Sequence, residues 1–171
     1  MRKILVSSCL AGEKVRYNGG CLNIADQSKD WLNSNFEIMR YCPEVASGLP
    51  TPRAPAEIVT GTGKDVLDQD SQVIANDRID VTDYFLRGAK LTLEFCKVHG
   101  IKYAILAESS PSCGSSTIYD GTFTGTKIPG RGVTTELLER NGIQVFSQHT
   151  IALLKTRVEQ SDFCRTSPLA P

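Results

Sequence analysis

Residues 3–7 form a short apolar run with no room for a helical period, which predicts a first strand ending just before Ser8-Cys9. A modest helix is expected over residues 26–32, and a second strand over residues 36–41, stopped by Cys42-Pro43. From Cys42 to Pro55 the chain carries four prolines and Gly48. Neither a helix interior nor a central strand fits there, and a rigid extended loop is expected. Residues 57–60 and 66–74 read as short strands near the surface. The best helical pattern covers residues 80–99. Phe85, Ala89, Leu93 and Cys96 recur at spacings of four and three, Asp80 or Thr82 caps the start, and Gly100 closes the end. A strand over residues 102–107 follows, then the polar string Glu108-Ser109-Ser110-Pro111-Ser112-Cys113-Gly114 and a turn at Tyr119-Asp120-Gly121-Thr122. A helix over residues 134–141, a strand over 143–146 and a last helix over 147–159 complete the pattern, with Ile151, Leu154 and Val158 on the apolar face of that helix.

Strands alternating with helices predict an α/β fold: a single doubly wound, mainly parallel sheet flanked by helices, with small β-hairpin insertions. No linker divides the chain, so residues 1–160 are expected to form one domain and residues 161–171 a mobile tail. Apolar residues make up 40% of the 171, enough for a core. Lysine plus arginine equals aspartate plus glutamate, 19 each, and no run of like charges occurs. A nucleic-acid partner is therefore not expected. The first residues carry two positive charges and then only three strongly apolar side chains, too few for a signal segment or a membrane span. A cytoplasmic protein without a membrane partner is expected. In that compartment cysteines stay reduced and serve as metal ligands, nucleophiles or buried thiols.

Six cysteines then need an explanation. Cys9, Cys42 and Cys113 each lie just past a predicted strand, in a loop rich in Gly, Pro or Ser. In an open parallel sheet such loops share one edge, where ligands bind. Converging thiolates suit zinc, copper(I) or an iron–sulfur cluster. The wide spacing, without a Cys-x-x-Cys pair, disfavours a zinc ribbon. A cubane cluster fits better, and with three cysteines in place of the usual four it keeps one iron open. Cys96 falls on the apolar helix stripe and reads as core. Cys164 and Cys21 read as incidental thiols, and His99 and His149 as ordinary helix-end residues. Glu44, two residues from Cys42, is placed to act as a general base. Serines beside Cys113 ordinarily bond to nearby backbone. Arg16 and Arg53 either grip an oxygen-rich substrate edge or pair with Glu44; with Ser112 they are the candidates for binding the substrate.

Five strings occur in order: Val6-Ser7-Ser8-Cys9-Leu10-Ala11-Gly12, Val15-Arg16-Tyr17-Asn18-Gly19, Cys42-Pro43-Glu44, the stretch from Gly48 to Ile58 that begins Gly48-Leu49-Pro50-Thr51-Pro52-Arg53, and Ser110-Pro111-Ser112-Cys113-Gly114. On these motifs the chain resembles the thiouracil desulfidase family from about residue 3 to residue 154. The resemblance implies an α/β fold holding a 4Fe-4S cluster on Cys9, Cys42 and Cys113. The open iron takes the thiocarbonyl sulfur of a small thiolated substrate, and Glu44 and Ser110 complete the catalytic site. The chain departs from the family pattern at Asn18, often Asp, and at Leu106-Ala107, often Leu-Lys; both spare the ligands. The activity implied is non-redox desulfuration of a thiolated nucleobase, thiouracil to uracil plus sulfide. The alternatives are a non-enzymatic iron–sulfur or metal-binding protein for sulfide handling or sensing, and a metal-free thiol enzyme with Cys113 as nucleophile.

Overall fold

The computed structural model describes residues 1–166. Four parallel strands form the central sheet: β1 (Arg2–Ser7), β2 (Phe36–Tyr41), β5 (Tyr103–Leu106) and β8 (Gln144–Ser147), in the order β2-β1-β5-β8. β1 and β2 pair over six residues, from Arg2 opposite Phe36 to Ser7 opposite Tyr41. Ile4, Leu5, Val6, Ala104, Ile105 and Leu106 are all buried, the continuous apolar run of strands covered on both faces.

The chain leaves β1 towards β2 on one side, then returns past β1 to β5 and β8. With right-handed crossovers, helix α1 (Asp26–Asn35) lies on one face, and α4 (Thr82–His99) and α5 (Val133–Arg140) lie on the other. The last helix, α6 (Ile151–Thr166), joins α1: the Lys155 ammonium sits 5.3 Å from the centre of the Trp31 ring, and Asp162 pairs with Arg2 at the start of β1. The chain reverses direction between β1 and β5, so the crevice beyond their carboxyl ends is the expected ligand site of a doubly wound sheet.

Several local expectations are corrected. One short helix, α2 (Pro43–Ala46), interrupts the expected loop after Cys42; a proline at the first helical position costs no hydrogen bond. The strand expected over residues 66–74 is instead helix α3 (Gly63–Leu67) followed by β4 (Val73–Ala75), which pairs antiparallel with β3 (Ala56–Ile58). The Asp65 carboxylate accepts the Thr62 N–H at 2.7 Å and opens that helix, a Thr-x-x-Asp cap that outweighs the strand-like pattern. A second hairpin, β6 (Thr117–Tyr119) with β7 (Lys127–Pro129), surrounds the expected turn. The final helix starts at Ile151, after the Thr150 hydroxyl accepts the Ser147 N–H. It continues through Thr166, so the expected tail begins inside a helix; residues 167–171 lie outside the described residues.

Helix α4 divides its apolar stripe between two cores. Phe85 and Ala89 pack with Ile58, Val66 and Val133, whereas Cys96 and Leu93 join the main core around the sheet. Cys96 is fully buried, and Cys164 is exposed. Cys96→Ala is expected to cost about 1 kcal/mol, as for a small truncation. Neither Cys96→Ala nor Cys164→Ala is expected to change iron content; iron lost from either folded variant would contradict this.

Candidate active site

The loops after β1, β2 and β5 bring the three cysteines to one cavity of about 600 Å³. Cys9 sits in a tight turn where the Leu10 N–H reaches the Ser7 carbonyl at 2.8 Å. Cys42 caps α2, and its carbonyl accepts the Ala46 N–H at 2.9 Å. Gly88 lets α4 approach this turn, since a Cβ there would stand 2.5 Å from the Pro43 carbonyl oxygen. Cys113 is held by its main chain: the Ser110 hydroxyl accepts its N–H at 3.2 Å, and Thr135 donates its hydroxyl to its carbonyl at 2.9 Å. Helix α5 begins directly on this loop. The Val133 and Thr134 N–H groups reach the Pro111 and Ser112 carbonyls, and Gly132 is needed because a Cβ there would meet the Ser112 carbonyl at 2.5 Å.

Burial pushes the Cys9 thiol up to about 11, with neighbouring Cys42 adding to the effect. Burial raises Cys42 and drives Cys113 well above the usual thiol range, where Glu44, Cys42 and Cys9 act in the same direction. A thiol that stays protonated at neutral pH is a poor nucleophile, which counts against a metal-free thiol mechanism at Cys113. As ligands the same thiols lose their protons on metal binding. Among the described residues, no three His, Cys, Asp or Glu side chains close around a single metal ion. The cysteines instead line a shared cavity, a donor set suited to a thiolate-ligated cluster whose irons are spread over several ångströms.

Beside the thiols lies a buried ion pair. Glu44 Oε2 accepts from Arg53 Nε at 2.8 Å and stands 2.6 Å from Nη2, with both side chains largely covered. Arg53 also donates to the Val15 and Pro50 carbonyls, and its own N–H reaches the Tyr17 carbonyl at 2.7 Å. It ties the loop of Arg16 and Tyr17 to the proline-rich segment and fixes Glu44. Of the two roles open to Arg53, its contacts are those of the pairing one. Glu44 Oε1 faces the Ser110 hydroxyl at 3.5 Å. That hydroxyl accepts the Ser112 and Cys113 N–H groups at 3.1 and 3.2 Å, which leaves its proton directed at the carboxylate. Ser112 is placed differently from its expected substrate-binding role. Its hydroxyl is buried against Thr134 Oγ1 at 2.8 Å, and it does not line the cavity. Arg16 does line it; among the described residues it has no carboxylate partner, and its guanidinium lies 5.7 Å from the Tyr17 ring centre.

Glu108 is the organising residue that the sequence reading missed. Its carboxylate accepts the N–H groups of Ser109, Ser115, Ser116 and Thr117 and the hydroxyls of Ser115 and Ser116. It thereby closes the segment that carries Cys113 into a loop. Burial acts to raise this carboxyl, but the Ser116 and Thr117 N–H groups, the Ser115 hydroxyl and the Ser109 N–H outweigh it and hold it at about 2. A carboxyl lowered on folding stabilises the fold above its unfolded value of 4.5, and the contribution fades as pH falls towards 2. Glu108→Gln is expected to lose about 2–3 kcal/mol at neutral pH. Denaturant titrations of both proteins should show the gap shrinking as pH falls from 4.5 towards 2; a gap independent of pH would contradict this account. The available signal was an acid followed by a serine-rich, turn-forming string, a pattern that invites capture of successive N–H groups. Glu57 likewise escaped notice: it is buried and pins the β6–β7 hairpin through the Gly121 and Phe123 N–H groups, at 2.8 and 3.1 Å.

The fold and site together define a doubly wound α/β protein with a cysteine-lined cavity at its switch point. The family model for 2-thiouracil desulfurase matches residues 4–150, and the chain belongs to that family. An uncharacterized protein of Bacillus subtilis strain 168, YbbK, is 44% identical over 148 residues, covering 86% of this chain and 97% of its own. Among solved structures, the 4Fe-4S-dependent thiouracil desulfidase TudS superposes with a TM-score of 0.82 at 44% identity, covering 94% of this chain and 99% of that one. Among the described residues, no helix is long and apolar enough to cross a membrane.

Proposed function

We propose that this protein is an iron–sulfur-dependent enzyme that converts thiouracil, or a closely related thiocarbonyl compound, to its oxo form and sulfide without net redox change. The observation that carries the reading is the sharing of one cavity by Cys9 and Cys113, both buried, the half-buried Cys42 and the Glu44–Ser110 pair, in a chain of the 2-thiouracil desulfurase family. Cys9, Cys42 and Cys113 are the ligands that hold the 4Fe-4S cluster. When bound, it supplies a Lewis-acidic iron free to take the substrate sulfur.

The chain's own residues do the rest. Arg53 fixes Glu44 through Oε2, so Oε1 is the oxygen available as base. Glu44 takes a proton from water, and the resulting hydroxide attacks the thiocarbonyl carbon. A C–O bond forms as the C=S π pair moves to sulfur. The remaining C–S bond then breaks as the new hydroxyl gives up its proton, which leaves with sulfur as hydrosulfide, while the first proton of water stays on Glu44. Ser110, held by two main-chain N–H groups, relays the proton between Oε1 and the reacting centre. Arg16, at the cavity wall and without a carboxylate partner among the described residues, is placed to hold a substrate oxygen. Leu49, Val81 and Phe85 provide an apolar wall that limits access of bulk water.

Water labelled with oxygen-18 tests the hydrolytic step. Anaerobically reconstituted protein given 2-thiouracil should form uracil that carries one labelled oxygen from water. Uracil without the label would refute hydrolysis, and absence of any turnover on a panel of thio-bases and thio-nucleosides would refute the enzyme reading.

A further inference from the structure

Ser7 is the last residue of β1 and is 2% exposed. Its Oγ accepts the Ala107 N–H at 3.3 Å, just past β5, and lies 3.9 Å from Cys113 Sγ, within hydrogen-bonding reach of a sulfur acceptor. A serine hydroxyl has one proton and two lone pairs. The Ala107 N–H occupies a lone pair, and among the described residues no oxygen competes for the proton, so it is directed at sulfur. The hydroxyl stands at the switch point between β1 and β5, on backbone that the parallel ladder keeps in place.

We propose that Ser7 is a positioning residue that hydrogen-bonds the Cys113 thiolate, raising the potential of the bound cluster and slowing its loss. This rests on the reading of Cys113 as a cluster ligand. A hydrogen bond to a ligating thiolate withdraws charge from the iron, which shifts the potential upward and makes the iron a stronger Lewis acid. Cys113 is buried near Glu44 with little access to water, and its thiolate is stabilised by the Ser112 side chain as well as by Ser7, so loss of Ser7 removes one of two such contacts.

The rival account gives Ser7 a purely structural task, satisfying the buried Ala107 N–H. Loss of that acceptor lowers thermal stability but leaves the potential where it was. The test therefore measures the midpoint potential of the reconstituted cluster in wild type, Ser7→Ala and Ser7→Thr, together with the rate of iron release to a chelator. Ser7→Ala should have a lower potential and release iron about 10-fold faster, the usual scale for loss of an outer-shell partner. Ser7→Thr, which keeps the hydroxyl, should restore the wild-type potential. If Ser7→Ala does not fold, the isosteric pair Ser7→Thr and Ser7→Val makes the same comparison, and the valine variant should have the lower potential. Equal potentials in the folded variants with and without the hydroxyl would overturn the proposal while leaving the cluster reading intact. Failure of wild type to assemble a cluster would overturn both.

Discussion

Replacing any one of Cys9, Cys42 or Cys113 with alanine is expected to abolish sulfide release and to leave protein that no longer retains a four-iron cluster after anaerobic reconstitution. A cubane site normally has four thiolate ligands. This chain offers three in one cavity, so a single loss leaves two. Cysteine and alanine are close in size, so each substitution should cost only about 1 kcal/mol of stability. The circular dichroism spectrum should therefore match wild type while iron content and the absorbance of the cluster fall away. The contrast with Cys96→Ala, a buried cysteine in the core, makes the result specific. Full iron retention in any of the three variants would remove that cysteine from the ligand set.

Glu44→Gln is expected to behave in the opposite way, with the cluster kept and turnover lost. The substitution leaves the three thiols in place and allows a neutral side chain to remain near Arg53, but it removes the only proton acceptor aimed at Ser110 among the described residues. General base catalysis is worth roughly 10²–10⁴-fold, and single-turnover sulfide release should fall by about that factor at matched iron content. If the carboxylate serves only to brace Arg53, the outcome differs. The loop of Arg16 and Tyr17 loosens, thermal stability or substrate affinity falls, and turnover at saturation stays near wild type. That pattern would take Glu44 out of the mechanism.

Much of this arrangement is readable in the chain because it depends on local pattern. Strand β1 follows from its short apolar run, β2 from a strand-like stretch closed by Cys42-Pro43, and α4 from its stripe and from Gly100, which adopts the left-handed conformation that ends the helix. Alternating elements predict the parallel sheet, and the sheet then places Cys9, Cys42 and Cys113 on one edge. The family resemblance singles out Glu44 and Ser110. Features that depend on what meets in space were harder to read. Arg53 had two candidate partners in the sequence, and only the folded loops put it against Glu44 and two carbonyls at once. Ser112 lies next to Cys113 in the chain, yet its hydroxyl is packed against Thr134 in α5 and beside Cys113 instead of lining the cavity. Helix α3 was hidden because Val66 and Leu67 prolong a strand-like run, while the Thr62 and Asp65 cap that starts it is only a few residues long. The signal for Glu108 lay in the serine-rich string that follows it, whereas Ser7 and Cys113, far apart in the chain, meet only through the fold, which no spacing rule exposes.

The account is tested most directly by titrating iron into anaerobic protein and measuring, at each loading, the sulfide and uracil formed from 2-thiouracil. It predicts no product without iron, product that rises with the fraction of protein carrying a complete cluster, and one sulfide for each uracil. A fully loaded protein that binds thiouracil but forms neither product would contradict it and favour a sulfide-handling protein, and product formed at the same rate by iron-free protein would contradict it in favour of a thiol enzyme.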